Sequence, residues 1–235
     1  MQTSADFERV ISEHAESMAA QGIAYAEISF EPSLHPGSEW IAGVERGRER
    51  ARDEFGVEIA WLVELARNQS GTESELALDI ALATSGVAGL GLVGDESVSA
   101  APLASIIDRA HAKGLRFMPH AGQAGGPEVV REAIEVLRAD RIAHGVASIE
   151  DPEVLRLLAD RSICLCVCPS SNARIGLRPD YRKIAGAGVP ITVNSDDPAM
   201  VGTTLTRELE LAESEYGLDR NALIDAAWAN AFSAQ

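Results

Sequence analysis

The sequence is poor in cysteine, in aromatic residues and in positive charge, and each shortage excludes a class of protein. Three cysteines in 235 residues cannot staple a disulfide framework. They alternate as Cys164, Cys166 and Cys168, sharing one face of a strand where neighbouring positions are poorly placed for a bridge. As metal ligands they are crowded without help from elsewhere, so small buried thiols packing like alanine or valine are the expectation. An aromatic content of 5% leaves little surface for stacking on nucleic-acid bases. With 20 Lys and Arg against 36 Asp and Glu, the net charge is −16, which disfavours nucleic acid and anionic membrane as partners and favours solubility. No apolar run reaches the ~20 residues of a membrane span. The stretch from Met1 to Glu8 is acidic and polar, without the pattern of a signal peptide, and a cytoplasmic protein is the expectation.

What is present is an apolar fraction of 46%, carried by Ala, Val, Leu and Ile, enough to bury the core of one α/β domain over residues 1–235. Helical and strand periodicities alternate along the chain. Strands are expected over 23–30, 57–65, 87–93, 115–120, 141–144, 163–167 and 189–194. Helices are expected over 5–21, 39–54, 72–84, 101–112, 127–137, 151–160, 180–187, 203–215 and 219–231. Repeated strand–helix units with short loops imply a parallel sheet with helices outside. An open doubly wound sheet and a closed barrel both fit. Polar residues at the ends of most strands, rather than at one switch point, favour the barrel. A barrel of this type has eight strands, and seven are found.

Those strand ends carry the chemistry. Phe117-Met118-Pro119-His120 runs into the glycine-rich turn from Ala121 to Gly126; Arg141-Ile142-Ala143 ends in His144; Cys168-Pro169-Ser170-Ser171 leads to Asn172; and Asn194-Ser195 precedes Asp196-Asp197-Pro198. Taken singly, each is more often structural: a lone strand-end histidine packs, and Asp-Asp-Pro caps a helix. Together they point to metal-assisted hydrolysis. Zinc accepts His nitrogen and Asp oxygen, which makes His120 and Asp196 candidate ligands. Asp197 points to the other side of the strand. His144, with an ordinary pKa near neutrality, is placed to orient or deprotonate a water. His35 reads as a loop hydrogen-bonding residue, His14 as a helix-surface or packing residue, and His111 as solvent-facing.

The ordered set of motifs resembles the adenosine deaminase family of metal-dependent aminohydrolases. The matching segments are Tyr25 to Pro32, Leu92 to Glu96, His120-Ala121-Gly122, Arg141 to Gly145, Val167 to Asn172, and Asn194 to Pro198. The resemblance implies a (β/α)8 TIM-type barrel, here lacking its first strand, with one zinc at its C-terminal mouth. It implies that His120 and Asp196 hold the zinc and that His144 activates or holds the zinc-bound hydroxide. Asp197 would hold the purine ring and hydroxide, and the Gly94 backbone N–H would bond the purine. The implied reaction is hydrolytic deamination of a 6-aminopurine nucleoside-like small molecule; no oligomeric state is implied.

Two departures qualify this. The family's first strand ends in a His-x-His pair that binds the metal, whereas the histidines here are His14, His35, His111, His120 and His144. The chain thus begins in what resembles the helix before the family's second strand, leaving two of the family's four protein ligands and two unpaired sheet edges. Where the family has Glu after His-Ala-Gly, Gln123 stands. An amide donates a hydrogen bond but cannot shuttle a proton, and losing a general acid/base costs ~10²–10⁴-fold in rate. The alternative is therefore a catalytically silent member that binds a nucleoside-like ligand or a protein partner. A third option is another metal hydrolase in which Glu96 or Glu128 carries the proton.

Overall fold

The computed structural model describes residues 3–35 and 37–232. The chain runs α1 (Ser4–Ala20), β1 (Tyr25–Phe30), α2 (Glu39–Phe55), β2 (Glu58–Ala66), α3 (Gly71–Ala83), β3 (Val87–Val93), α4 (Ala104–Ala112), β4 (Arg116–Ala121), α5 (Pro127–Glu135), β5 (Arg141–His144) and α6 (Pro152–Asp160). It continues through β6 (Cys164–Val167), α7 (Pro169–Arg174), α8 (Tyr181–Gly186), β7 (Ile191–Val193), α9 (Pro198–Val201), α10 (Leu205–Tyr216) and α11 (Arg220–Asn230). All neighbouring strands are parallel, in the order β1 to β7. This is the curled sheet of a (β/α)8 barrel with one strand fewer.

Local chemistry sets several boundaries. Thr3 and Asp6 form a reciprocal capping box at the start of α1, and Ser70 and Glu73 do the same for α3. The expected helix over 101–112 opens as a 3₁₀ turn at Ala101–Leu103 before α4. The last strand is shorter than expected, because Pro190 has no N–H for the ladder and Asn194 turns its amide back onto Thr192. Two short helices, α7 and α9, follow β6 and β7 after one and four residues, each with proline in its first turn.

Strand alternation divides the molecule. Leu65 of β2, Leu90 and Leu92 of β3, Phe117 of β4, Ile142 of β5 and Val167 of β6 join Leu78, Ile107, Ile134 and Leu158 of the helices in one core. A second apolar cluster, around Trp40, Ile59, Trp61, Phe7 and Met18, sits under α1 and α2. His35 belongs to it. Contrary to the expectation of a surface hydrogen-bonding histidine, its ring stands edge-on to Phe7 at 4.8 Å and lies 5.6 Å from Trp40. His111 is likewise partnered rather than free, with Nε2 3.1 Å from the Asp140 carboxylate. The cysteines are buried and unpaired, as expected. No helix of the described residues is long and apolar enough to cross a membrane.

The opposite strand faces point into the barrel. At its floor Arg141 of β5 pairs with Glu27 of β1. The Arg141 guanidinium also donates to the Asn230 carbonyl at 2.8 Å and lies 3.7 Å from the Phe232 ring. Glu27 accepts the Phe232 N–H at 2.6 Å and the Tyr25 hydroxyl at 2.9 Å. The segment following α11 is thereby tied to β1, while α11 packs on β7, so this helix links the two outer strands of the sheet. Both charged side chains are nearly sealed from water, at 8% and 9% exposure, where an orphaned ion is costly. Arg141→Ala is therefore expected to lower the unfolding free energy by about 3–5 kcal/mol, measured by denaturant titration. A change below about 1 kcal/mol, the range of an exposed pair, would show that the floor is not held this way.

Candidate active site

His120 lies on the inward face of β4, one residue before the strand ends. Its Nδ1 donates to the Leu92 carbonyl of β3 at 3.0 Å, which fixes that proton and leaves the Nε2 lone pair free. His144 ends β5, and its register partner is Ala121, not His120. Regular alternation would send its side chain toward the helices with Ile142. Instead its φ is 63°, and the left-handed turn swings the imidazole inward until the two rings are 5.1 Å apart. Asp196, with φ 55°, makes a similar turn after β7. Only four non-glycine residues among those described have positive φ, and two of them are here, where backbone strain commonly accompanies function.

These turns bring the three side chains to one point. A donor atom from each of His120, His144 and Asp196 lies within 4.8 Å of the others. His144 Nε2 is 3.9 Å from an Asp196 carboxylate oxygen. Two imidazoles with one carboxylate are a donor set that zinc accepts at about 2.0–2.2 Å, and the triangle must close to take it. His144 is 1% exposed and its Nδ1 has no hydrogen-bond partner of normal geometry, with the Asn172 side chain beside the ring. Burial, then the neighbouring His120, pushes its pKa down to about 4, so the ring is neutral at pH 7. Asp197, beside the cluster, has its pKa raised by burial and by Asp196. Its backbone carbonyl accepts the N–H groups of Met200 and Val201 within α9. Gly94 follows the end of β3 with φ 103°, a conformation few side chains permit.

The turn after His120 is held by one carboxylate. Glu96 Oε2 accepts the N–H groups of Gly122 at 2.8 Å and Gly125 at 2.7 Å, and Oε1 accepts that of Gln123 at 3.2 Å. A carboxylate so engaged is a scaffold, not a free proton carrier, and Glu128 is exposed on α5; the expectation that either serves in proton transfer has no support in the geometry. Gln123 Nε2 donates to Asn172 Oδ1 at 3.3 Å, and Asn172 Nδ2 donates to the Tyr181 hydroxyl at 2.9 Å. Asn172, expected at a strand end in the mouth, is fully buried within α7 and orients Gln123. A cavity of about 510 Å³ opens beside Gln123, lined by Ala147, Ile149, Leu177, Arg178 and Asp180.

Glu64 went unread in the sequence. It stands on the inward face of β2, is 3% exposed, and neither carboxylate oxygen has a hydrogen-bond partner of normal geometry. Burial pushes its pKa up to about 7; His120 and the nearby Ser29 hydroxyl oppose that rise. The signal that marks it is a charged residue within the otherwise apolar run from Ile59 to Ala66.

Against this geometry stand the comparisons with known proteins. A family model described as adenosine deaminase matches residues 1–234. The chain belongs to the adenosine deaminase family. It is 39% identical to an aminodeoxyfutalosine deaminase of Streptomyces coelicolor, over 97% of this chain and 62% of that protein. An adenine deaminase of Rhizobium leguminosarum bv. trifolii is 33% identical over 99% of this chain and 76% of its own length. Among solved structures, an adenine deaminase from Arthrobacter aurescens superposes with a TM-score of 0.91 at 27% identity, covering 99% of this chain and 76% of the other. An amidohydrolase from Burkholderia ambifaria with bound Zn gives 0.90 at 25% identity, covering 99% and 70%. The chain thus spans less than two thirds of the length of the Streptomyces relative.

Two outcomes follow for this family member. Glu96→Gln places an amide donor against a backbone N–H, so hydrogen exchange at Gly122, Gln123 and Gly125 is expected to accelerate, by about 1–3 kcal/mol in local opening. Unchanged protection there would remove Glu96 as the anchor. Glu64 keeps its proton in the fold up to about pH 7, whereas in the unfolded chain it releases it near 4.5. The fold therefore binds the extra proton across that window, and metal-free stability falls as pH rises through it, by on the order of 3 kcal/mol. Glu64→Gln is expected to flatten that slope in melts taken from pH 4.5 to 7.5.

Proposed function

We propose that the protein is a metal-dependent aminohydrolase acting on an adenine- or adenosine-like 6-aminopurine, with the strand-end cluster as its catalytic site. The observation that carries this is the convergence of His120, His144 and Asp196 through two left-handed turns, at the positions the family's motifs occupy. Membership of the family and similarity to a zinc-containing amidohydrolase support it. One zinc is the proposed cofactor, with His120 and Asp196 as its ligands. When bound there, zinc polarises a water and lowers its pKa toward neutrality.

The residues of the chain have separate tasks in this scheme. The overall change adds water across C6 of the purine and expels ammonia, leaving a 6-oxo group and a proton on N1. His144, neutral at pH 7, offers a lone pair to the attacking water and holds a proton in passage. Asp197, with its raised pKa, bonds the ring and the attacking oxygen, and the Gly94 N–H bonds another ring position. The cavity beside Gln123 has the size of a small-ligand pocket and receives the substituent of a nucleoside-like substrate.

Gln123 sets the rate. Its Nε2 is taken by Asn172, so its carbonyl oxygen faces the ring, where it can accept from a protonated N1 but cannot deliver the proton that attack requires. Gln123→Glu is accordingly expected to raise ammonia release from adenine or adenosine by ~10²–10⁴-fold in zinc-loaded protein, measured by a coupled ammonia assay. A zinc-loaded Gln123→Glu protein that releases no ammonia from any 6-aminopurine defeats the aminohydrolase reading. If that protein still binds purines, it is instead a nucleoside-binding member of the family.

A further inference from the structure

We propose that Arg174, Arg178 and Arg207 form an anion site beside the catalytic cluster, and that the 6-aminopurine substrate carries a carboxylate or phosphate that binds there. This inference rests on the aminohydrolase reading and names the substrate class within it. It starts from charge. The chain carries 36 acids against 20 bases, so a cation here finds a carboxylate easily. Arg182 and Arg220 pair with Asp180 and Glu213, and even the exposed Arg9, Arg50 and Arg109 have acidic partners. Arg174, Arg178 and Arg207 take part in no ion pair among the described residues. Yet they stand together on the wall of one cavity of about 340 Å³. Like charges gathered in a concave space repel one another, and a bound anion turns that repulsion into attraction. A planar guanidinium is also the group that meets a carboxylate or phosphate with two parallel hydrogen bonds.

The cavity lies at the same end of the sheet as the catalytic cluster. Arg174 and Arg178 come after β6, at and beyond the end of α7, and Arg207 comes after β7, in the first turn of α10. Arg174 Nε donates to the Val201 carbonyl at 2.9 Å, which joins the two segments, and Arg178 stands beside the Tyr216 hydroxyl. The acid of this wall is the exposed Glu215, so positive charge is in excess. Arg178 decides the occupant. It lines this cavity and also the cavity beside Gln123, so the two spaces meet at this residue. Glu150 and Asp180 on the wall of the nearer cavity carry the opposite sign, which disfavours an anion beside Gln123 and favours one beyond Arg178. A nucleoside whose purine reaches the cluster extends its substituent past Gln123, and an anionic group at the far end of that substituent arrives at the arginines.

The test is calorimetric titration of the full chain with adenosine, adenosine 5′-monophosphate and adenosine-5′-carboxylic acid, repeated for Arg174→Gln, Arg178→Gln and Arg207→Gln. At least one anionic nucleoside is expected to bind about 10-fold tighter than adenosine, the worth of a charge-assisted hydrogen bond. The better of the two identifies the group as phosphate or carboxylate, and its advantage shrinks as ionic strength rises. Arg178→Gln and Arg207→Gln, whose side chains hold no backbone, are expected to lose that advantage and keep their affinity for adenosine. Inorganic phosphate should compete with the anionic nucleoside and not with adenosine. Equal affinity for all three nucleosides in the unaltered chain overturns the proposal and leaves the aminohydrolase reading standing. An anionic advantage that survives in all three variants overturns it too, because the anion is then held elsewhere. Phosphate that binds without weakening the anionic nucleoside marks a site for a free anion and has the same consequence. If the chain binds none of the three nucleosides, the aminohydrolase reading and this inference fall together.

Discussion

A strand in a parallel sheet offers each side chain only two directions, and the helices cover one of them. That constraint organises the whole molecule. Ala121 and Ile142 must enter the apolar layer, so His120 and Ala143 face the interior, and a slip of one residue would exchange them. The chemistry collects on the inner face because the outer one is closed to it. The constraint also has a cost. His144 falls in the outward phase of β5, and the fold recovers it only by leaving β geometry altogether at that residue. The strained backbone at His144 and Asp196 is thus the direct price of building a site from consecutive strand ends.

Much of this was legible because it is periodic. Apolar runs that end in His120, His144 and Asp196 announce both the strands and their polar ends, and the seven-strand alternation follows from the same signal. What escaped was set by neighbours distant in sequence. His111 looks free on its helix until Asp140 arrives from 29 residues away, and His35 looks like a loop residue until Phe7 and Trp40 enclose it. Glu96 and Asn172 stand inside motifs, Glu96 even as a candidate proton carrier, but their tasks exist through the backbone and the amide they hold. The helices α7 and α9, of six and four residues, are too short for helical periodicity to emerge. Glu64 was hidden by its company, since an apolar run reads as a buried strand whatever single charge it contains.

The polar interior is otherwise closely matched, donor to acceptor. Arg67, with its side chain 1% exposed, donates to the His120 carbonyl at 2.9 Å and to that of Val98 at 3.0 Å, so a buried cation steadies the backbone of β4 at the residue the site depends on. Burial lowers its pKa against the opposing pull of Glu96 and Glu132; the guanidinium is still charged, because its ordinary pKa is so high.

The chain from Gln123 through Asn172 to Tyr181 bears on how an amide can occupy a position where the family carries an acid. As it stands, Gln123 donates to Asn172, and Asn172 donates to the Tyr181 hydroxyl. A carboxylate at 123 would put two acceptors face to face. Asn172 can relieve that by turning its amide through half a circle, so that Nδ2 meets the carboxylate and Oδ1 meets Tyr181. The hydroxyl then donates where it had accepted, since a phenol does either. Every partner is kept in both arrangements, and the buried amide never loses a bond. The network therefore tolerates amide and acid alike without repacking. The difference between them at position 123 reduces to the proton itself: both side chains accept a hydrogen bond in the same geometry, and only the acid can take up and release a proton.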